Sequence, residues 1–367
     1  MLSDKKVRVG IIGCGTVSRS HLRAYMEISD AEVVAVADVI EDRAKAAKQM
    51  VGAEKAYTDY TSLLERSDID MVDICLPTFL HAPVAIEAAK AGKNVLVEKP
   101  MARNLAEADA MIEAAEKANV KLMVGQTMRF SSISQKIKQI VESGWIGKLL
   151  YIRTLGGHGG PGRPGDPGKR TGGRLWFLDP EKSGGGSVLD YGIHLADFMR
   201  YVAGEVSSVF AVVDTFKKER NIMVDDYKST IVRNIAVDDH GVVILKFKSG
   251  AVGSLSTGWI YLPAVSKYEI FGSEGSILAD SQSHTLAVYS LSDKLPEDKR
   301  EKWLHMPLDK DMRFVRMIKH FITCIKDDKE PLVNGREGRK SLEVIMAAYE
   351  SARKGVPVSL PLVKKTD

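Results

Sequence analysis

A lysine held between an acid and a proline is the first group in this chain whose setting suggests chemistry. Lys99 stands in Glu98-Lys99-Pro100, directly after the apolar run Asn94–Val97. Proline restricts the residue before it to extended conformations, so the backbone direction of Lys99 is defined. An ammonium group there could lie over a substrate hydroxyl and favour its alkoxide form, and burial could lower the pKa of the lysine towards the working range. The alternative is an ordinary surface lysine.

A second group of chemically active side chains lies in a helical pattern over Val188–Val202. Asp190 and His194 are spaced i, i+4 within it, and Asp197 follows, so one continuous helix would project Asp190 and His194 from one face. A carboxylate beside a histidine raises the tendency of the imidazole to accept a proton, as a general base must. The spacing alone favours an exposed salt bridge. Metal binding is a third interpretation, but His-x-x-Asp is poor zinc spacing, so we predict no metal site.

The elements that position these groups begin at a glycine turn near the N-terminus. The apolar run Val7–Ile12 predicts a strand, which ends in Gly13-Cys14-Gly15 just before a helical pattern over Ser18–Ile28. Strand, tight turn and helix in this order form a dinucleotide-binding unit, in which the helix N-terminus approaches a pyrophosphate. Ser18 replaces the third glycine of the fingerprint and is small enough for close helix–strand packing. The alternative is an ordinary tight βα turn.

Asp38 bears on the choice of dinucleotide. It ends the second predicted strand, Glu32–Ala37, roughly 20 residues after the glycine turn, where an acid accepts hydrogen bonds from an adenosine ribose. A carboxylate there would repel a 2′-phosphate, so Asp38 favours NAD over NADP. Arg43, the nearest cation, lies on the following predicted helix, Glu41–Met50. The alternative role of Asp38 is a helix N-cap.

Strand and helix patterns alternate from Lys6 to about Gln126, which predicts a parallel sheet with right-handed crossovers. Leu76-Pro77-Thr78 and Glu98-Lys99-Pro100 follow strands at the carboxyl edge, where open α/β sheets bind ligands. After Phe130 the pattern changes to hairpin-linked strands, which predict a largely antiparallel sheet. Helices return near Met312. The fold class is therefore α/β followed by α+β.

The stretch from Gly156 to Arg170 is rich in glycine and proline. Its composition fits neither a helix nor a central strand, so we predict a long loop. Long loops in compact domains are usually functional or disordered, and we expect this one to face the substrate or an interface.

Composition narrows the function classes. The chain has 367 residues, enough for two domains, with 44% apolar and 27% charged residues. Its net charge of +4 comes from interspersed charges, so no basic stripe points to nucleic acid. Cys14, Cys75 and Cys324 form no Cys-x-x-Cys pair, which favours a reducing compartment. With no signal peptide and no apolar segment of membrane-spanning length, we predict a soluble cytoplasmic protein without a membrane partner.

Together the motifs resemble those of the Gfo/Idh/MocA oxidoreductases, the glucose-fructose oxidoreductase and inositol dehydrogenase superfamily. The resemblance covers nearly the whole chain in the family's order. Its matching stretches are Gly10–Gly15, Glu98–Pro100, Gly125–Phe130, Gly186–His194, Phe271–Ile277 and Glu330–Val333.

The resemblance implies an N-terminal Rossmann dinucleotide-binding domain and a C-terminal α+β domain with an open, mostly antiparallel sheet. The first domain would comprise residues 1–128 and the returning helices at about 312–367, and residues 129–311 would bind the substrate and form the oligomer. The outer face of the sheet would then make a homo-oligomer, a dimer or a tetramer.

The resemblance also implies that Lys99, Asp190 and His194 are catalytic, against the preference of the spacing for a salt bridge. His194 would take the proton of a ring hydroxyl, Lys99 would stabilise the alkoxide, and Asp190 would hold a neighbouring hydroxyl or the imidazole. The expected substrate-binding residues are Arg129, His158, Arg163, Arg174, Trp176, Asp190 and His194. The expected cofactor-binding residues are Gly13, Gly15, Thr16, Val17, Asp38, Arg43, Leu76, Pro77, Thr78, His81, Glu98, Lys99 and Gln126.

The expected activity is hydride transfer between NAD and a ring hydroxyl of a sugar, glycoside or inositol. Some family members resemble glycosidases that oxidise the sugar transiently, and these carry a Gly-Gly-His-Gly-Gly loop such as Gly156–Gly160. The Asp190 and His194 motif is similar to the dehydrogenase form instead. A non-catalytic dinucleotide-binding regulator is the third hypothesis, and the presence of both Lys99 and His194 argues against it.

Overall fold

The computed structural model describes residues 5–161, 172–223 and 229–362. Its strands are β1 (Val7–Ile12), β2 (Ala31–Ala37), β3 (Lys55–Tyr57), β4 (Met71–Ile74), β5 (Asn94–Glu98), β6 (Leu122–Gly125), β7 (Leu149–Gly157), β8 (Val206–Asp214), β9 (Glu219–Met223), β10 (Ser229–Arg233), β11 (His240–Phe247), β12 (Val252–Gly258), β13 (Val265–Gly272), β14 (Gly275–Asp280), β15 (Thr285–Ser290), β16 (Trp303–His305) and β17 (Val358–Ser359).

The α-helices of the same ranges are α1 (Ser18–Tyr25), α2 (Glu41–Val51), α3 (Tyr60–Leu64), α4 (His81–Lys90), α5 (Leu105–Ala118), α6 (Ser132–Glu142), α7 (Pro180–Ser183), α8 (Ser187–Asp190), α9 (Gly192–Ala203), α10 (Arg313–Lys326) and α11 (Gly335–Lys354). Short 3₁₀ helices cover Thr78–Leu80, Thr127–Phe130, Gly172–Leu178 and Glu297–Lys299. No helix of the described ranges is long and apolar enough to cross a membrane.

The chain divides into two compact units, Met1–Phe130 with Met312–Lys340, and Ser131–Asp311 with Ser341–Asp367. The first unit contains a six-stranded sheet in the order β3-β2-β1-β4-β5-β6, with every pair of neighbours parallel. This is the Rossmann strand order, and its switch point lies between β1 and β4. The central strands are buried on both faces and read as continuous apolar runs. The predicted parallel sheet is therefore confirmed.

The second unit contains a nine-stranded sheet in the order β16-β15-β14-β13-β7-β12-β11-β8-β17. Only the β7–β12 pair is parallel within this sheet, so the prediction of a mostly antiparallel sheet is confirmed. In β11, Val243 and Leu245 are buried while Val242 and Ile244 are exposed. That alternation means that one face of the sheet packs on the core and the other faces outward.

The chain from Ser341 onward belongs to the second unit, whereas the sequence placed everything after about residue 312 with the first domain. Specific backbone contacts account for this position. The backbone N–H of Ala211 in β8 donates to Ser351 Oγ of α11, and Val358 of β17 pairs with Val209 of β8. The C-terminal half of α11 and the strand after it are thus joined to the edge of the nine-stranded sheet.

The predicted single helix over Val188–Val202 is wrong, because the chain forms α8 and α9 with a break at Tyr191. Tyr191 has φ −102° and ψ −38°, and the next residue, Gly192, is a poor helix former. Asp190 ends one helix and His194 lies in the first turn of the next. Their spacing is therefore not that of a regular i, i+4 pair.

The prediction that Gly156 and Gly157 lie outside any central strand is also wrong, because both belong to β7, between β12 and β13. A Cβ on Gly157 would lie 2.2 Å from the carbonyl oxygen of Gly258, and one on Gly156 would lie 2.4 Å from the Tyr191 ring. The glycines therefore allow close approach within the sheet. Their composition resembles that of a loop although their backbone is extended.

Candidate active site

The glycine turn joins the carboxyl ends of three strands of the first unit. Gly13 has φ +94°, and its backbone N–H donates to the Ala37 carbonyl at the end of β2. A Cβ at Gly13 would lie 2.6 Å from the Cys75 carbonyl oxygen, just after β4. Both the left-handed backbone and the close approach require glycine here.

Gly15 needs a different explanation, because a Cβ there would meet no atom within 4 Å. The protein's own packing does not require glycine at Gly15, whereas a pyrophosphate approaching the backbone would. The Ser18 hydroxyl donates to the Gly15 carbonyl at 2.8 Å, and Ser18 is fully buried at the start of α1. Thr16 and Val17 precede that helix, whose first N–H groups have no intrahelical partners. The turn therefore fits a dinucleotide.

Asp38 organises the next part of the cofactor site. Its carboxylate accepts hydrogen bonds from the backbone N–H groups of Cys14 and Ile40, both at 2.8 Å. Asp38 is not the N-cap of α2, because Ile40 occupies that position. A carboxylate has about four lone-pair sites, so two remain for ribose hydroxyls. Burial, and to a smaller extent Asp38, raise the pKa of the Cys14 thiol to about 12.

The surface beside Asp38 contains apolar residues that the sequence did not single out. Val39 and Ile40 are 86% and 44% exposed directly after Asp38, and Arg43 follows, half-buried, on α2. Exposed aliphatic side chains at this edge are suited to the face of an adenine ring. In the sequence, the position of Val39 and Ile40 directly after Asp38 could have identified them as residues of the cofactor edge.

His81 joins the two loops at the carboxyl ends of β4 and β5. Its ring nitrogens lie 2.8 Å from the carbonyl oxygens of Leu76 and Pro100, and the residue is buried. Burial lowers the pKa of His81, while the two carbonyls oppose that effect. Thr78, buried, begins the 3₁₀ helix after Pro77. His81 therefore braces both loops.

A fully buried set of charges lies beneath Lys99, and the sequence did not reveal it. His21 Nδ1 is 2.8 Å from Asp73 Oδ2, and His21 Nε2 is 2.9 Å from Glu98 Oε1. Burial disfavours the imidazolium, but Asp73 and Cys75 together outweigh it, and the pKa of His21 is raised well above its usual value. Burial likewise acts to raise the pKa of Glu98, but His21 lowers it. An acid such as Asp73 inside a buried apolar strand was the available signal.

Lys99 and Gln126 lie at the same carboxyl edge. The backbone N–H of half-buried Lys99 donates to Glu98 Oε2 at 3.2 Å. Gln126, directly after β6, is buried, and its Oε1 has no hydrogen-bond partner among the described residues. A buried amide oxygen without a partner is suited to a ligand. Arg129 is also buried, and its guanidinium lies 3.6 Å from Glu337 of α11.

In the second unit, the Asp190 carboxylate is held by aromatic and imidazole groups. The indole N–H of Trp259 donates to Asp190 Oδ2 at 3.1 Å, and His158 Nε2 lies 3.8 Å from the same oxygen. The backbone N–H of Gly160 donates to His158 Nδ1 at 2.9 Å, so a neutral His158 carries its proton on Nε2, facing Asp190.

The Tyr191 ring lies between the two histidines of this site. Its centroid is 5.9 Å from that of His158 and 6.1 Å from that of His194, edge-on in both cases. His194 is largely buried. Asp197, the next acid on α9, is fully buried and accepts a hydrogen bond from Ser341 Oγ of α11. The helix break at Tyr191 thus places an aromatic ring against both imidazoles, while Asp197 is occupied in packing.

Asp238 fixes the start of the helix that carries Asp190. Its carboxylate accepts hydrogen bonds from the backbone N–H groups of Gly186 and Val188, the Ser187 hydroxyl and the Tyr349 hydroxyl. Burial raises the pKa of Asp238, and these donors oppose that shift. One buried acid therefore determines where α8 begins.

An aromatic row continues from Asp190. Trp176 stacks on Phe177 at 3.9 Å, and Phe177 meets Trp259 edge-on. The Arg220 guanidinium lies over the Trp259 ring and donates to the Gly159 carbonyl. The sequence did not identify Trp259 or Arg220, since neither lies in a recognisable motif. Of the other predicted substrate residues, Arg163 and the side chain of Arg174 lie outside the described residues.

The buried charges predict a pH dependence of stability. The raised pKa of His21 stabilises the fold fully below its unfolded value of about 6.5, and that stabilisation is lost as pH rises through the folded pKa. The lowered pKa of Glu98 stabilises the fold above about pH 4.3, the unfolded value, and that stabilisation is lost as pH falls through the folded pKa. We expect the free energy of unfolding in urea to fall above about pH 6.5 in the wild type and to stay flat there in His21→Gln/Asp73→Asn/Glu98→Gln, which leaves no buried carboxylate without its cation.

The matched control for this prediction is His320→Gln. His320 is a half-buried histidine of the same unit whose ring accepts from the Leu332 N–H, and burial lowers its pKa. The fall above about pH 6.5 should persist in this variant. Equal slopes in the wild type and in the triple variant would contradict the assignment to the buried charges around His21.

Comparison with known proteins places this geometry in a family. Residues 7–126 match the model described as "Oxidoreductase family, NAD-binding Rossmann fold", and residues 134–278 match the "GFO/IDH/MocA C-terminal domain". Myo-inositol 2-dehydrogenase of Thermotoga maritima is 34% identical over 96% of this chain and 98% of its own length. The NAD⁺-dependent scyllo-inositol 2-dehydrogenase of Bacillus subtilis is 27% identical over 97% of this chain and 97% of its own length.

A solved structure of levoglucosan dehydrogenase in complex with NADH and levoglucosan superimposes with a TM-score of 0.85. It is 26% identical, and the match covers 98% of this chain and 100% of that one. Residues 7–126, which form the six-stranded parallel sheet, are thus an NAD-binding Rossmann domain. The chain belongs to the Gfo/Idh/MocA family of NAD-dependent oxidoreductases.

Proposed function

We propose that this protein oxidises a ring hydroxyl of a cyclic polyol or sugar, with the first unit binding NAD and the second binding the substrate. The observation that carries the proposal is the Asp190 carboxylate, held by the Trp259 indole and facing His158, with His194 in the adjoining helix. Carboxylates and imidazoles recognise a ring with several hydroxyls, because they accept and donate hydrogen bonds at its edge. The relatives above act on inositols and an anhydrosugar.

In this proposal each side chain has one task. Bound NAD supplies the acceptor for the hydride that leaves the ring carbon. A ring nitrogen of His194 takes the hydroxyl proton as the C–H electron pair departs, so that the alcohol becomes a carbonyl. The Lys99 ammonium stabilises the negative charge that develops on the oxygen. Asp190 orients a neighbouring hydroxyl.

The surrounding residues are proposed to shape the substrate site. Trp176 and Phe177 offer stacked aromatic faces, and His158 offers a polar edge on Asp190. Arg163 and Arg174 remain predicted substrate contacts. Arg129, buried beside Glu337 in the first unit, also remains a predicted substrate contact.

Replacement of the proton acceptor or the ammonium should remove turnover. We expect Lys99→Ala and His194→Ala each to lower kcat/KM by about 10²–10⁴-fold, because each removes a group that acts on the developing charge. NAD affinity should change by less than about threefold, as most cofactor contacts remain. NADH absorbance with a panel of inositols, monosaccharides and levoglucosan measures turnover, and protein fluorescence measures NAD binding.

Matched controls are Lys90→Ala and His284→Ala, which remove exposed residues of the same types from the same units. Both should keep wild-type turnover. Activity that survives Lys99→Ala or His194→Ala would refute the assigned roles. Release of an aglycone from glycosides without NADH would identify the NAD-dependent glycosidase, and tight NAD binding without any turnover would favour the regulator.

The preference for NAD should depend on the charge of Asp38. We expect Asp38→Asn to weaken NAD binding about tenfold, since a hydrogen bond to a charged group contributes about 1.5–3 kcal/mol, and to strengthen NADP binding by removing repulsion. Dissociation constants for both cofactors measure this. Asp42→Asn, which removes an exposed charge nearby on α2, should leave the NADP-to-NAD ratio unchanged. The same change in both variants would indicate a general charge effect instead.

We propose that the outer face of the nine-stranded sheet binds a second copy of this chain. Phe210 and Val212 of β8 lie opposite Ile244 and Val242 of β11, and all four are more than a third exposed. Contiguous apolar side chains on an outer face mark an interaction surface.

The protein's free cysteine thiols are in keeping with a reducing compartment, and we place the protein in the cytoplasm.

A charge on this face should dissociate the oligomer. We expect Val212→Glu/Ile244→Glu to reduce the mass by light scattering to that of one chain, 40.3 kDa, since burying two unpaired carboxylates at an interface is costly. Met26→Glu, an equally exposed apolar residue of α1's C-cap, is the control and should leave the mass unchanged. An unchanged mass in the double variant would place the interface elsewhere.

A further inference from the structure

The buried charges beneath Lys99 have no task in the mechanism above. His21, Asp73 and Glu98 are 0%, 0% and 5% exposed. They come from α1, β4 and β5, so one imidazole joins a helix to two strands. Buried charge is costly unless every partner is in place. A set of this kind in an otherwise apolar sheet therefore calls for a reason beyond stability.

The contacts among these buried groups determine which atoms donate hydrogen bonds and which accept them. His21 lies between two carboxylates, so both ring nitrogens donate and the ring is an imidazolium. The Tyr25 hydroxyl donates to Asp73 at 3.1 Å, and the Cys75 thiol donates to the other Asp73 oxygen at 3.6 Å. The Phe314 ring packs against the imidazole at 5.2 Å. The ring can therefore neither rotate freely nor reach water.

The same buried charges connect the helix that follows the dinucleotide turn with the backbone of Lys99. His21 lies in α1, the helix that starts at the dinucleotide turn, and its Nε2 contacts Glu98 Oε1. The second carboxylate oxygen of Glu98 accepts a hydrogen bond from the Lys99 backbone N–H. Gly125 of the neighbouring strand leaves room for that carboxylate, because a Cβ there would lie 3.1 Å from Glu98 Oε1. Two hydrogen bonds, His21 to Glu98 and the Lys99 N–H to Glu98, thus connect the helix after the turn to the Lys99 backbone.

We propose that His21 and Glu98 are positioning residues, which hold the backbone of Lys99 at a fixed place relative to the dinucleotide turn through the Asp73–His21–Glu98 contacts. The proposal rests on the assigned role of Lys99. Hydride transfer needs the alkoxide-stabilising ammonium within a fraction of an ångström of its place, and small displacements from remote changes cost up to about 10²-fold in rate. Cofactor affinity, by contrast, is spread over many contacts.

The test compares kcat with NAD affinity in three variants. We expect His21→Gln and Glu98→Met to lower kcat by about 10–100-fold while the dissociation constant for NAD changes by less than about threefold. Glu98→Gln should lower kcat several times less than Glu98→Met, because its amide oxygen still accepts from Lys99 and its NH₂ donates to a neutral His21. His320→Gln is the control, a histidine of the same unit outside these contacts.

A second readout does not depend on activity. In protein labelled with ¹⁵N-lysine, the Lys99 amide signal is identified by its loss in Lys99→Arg. It should shift and exchange faster with solvent in His21→Gln and Glu98→Met, and should stay in place in His320→Gln. Thermal unfolding confirms that each variant is folded.

The outcomes separate this proposal from the proposed function. A Lys99 signal that does not move in His21→Gln overturns the positioning role, whatever the activity. A signal that moves with kcat unchanged also overturns it. If the wild type oxidises no polyol or sugar, or Lys99→Ala keeps full turnover, the proposed function fails, and the role in catalysis fails with it even where the amide signal moves.

Discussion

The first unit depends on one geometric constraint: every strand of its sheet runs in the same direction. Parallel strands bring all their carboxyl ends to one edge, and that edge is where helices begin and backbone N–H groups point outward. Gly13, Asp38, Thr78, Lys99 and Gln126 all lie just past such ends. Their separation along the chain therefore says little about their separation in space, and five unrelated sequence positions come to one edge of the sheet.

The same constraint explains why buried charge gathers at this edge. The regular backbone hydrogen bonds of the sheet stop where the strands end, so side chains must hold the loops that follow in place. His81 fixes two loops through their carbonyl oxygens, and Glu98 fixes the Lys99 backbone through a carboxylate. A carboxylate can do this in the interior only with a cation beside it, which His21 supplies. The buried ions thus hold the loop backbone in a defined position, although burying the same charges without their partners would destabilise the core.

The sequence was sufficient for the fold class, because apolar runs, glycine turns and alternating patterns are local properties. It also predicted the groups at the carboxyl edge, since these follow recognisable strands. It was insufficient for Trp259, Arg220 and Asp238, which act through contacts with distant parts of the chain. It misjudged Gly157 for the same reason: glycine there serves close approach to a neighbouring strand, a tertiary property that composition does not report.

The break between α8 and α9 shows how a departure from regular structure can serve a site. A continuous helix would place Asp190 and His194 side by side and favour their pairing with each other. The break instead gives the Asp190 carboxylate the Trp259 indole and His158 as neighbours, and brings the Tyr191 ring between the two imidazoles. Asp238, with four donors on its carboxylate, fixes the start of the short helix firmly enough for this geometry to persist. A carboxylate oriented by an indole N–H is suited to a substrate hydroxyl, which agrees with the proposed division of tasks between Asp190 and His194.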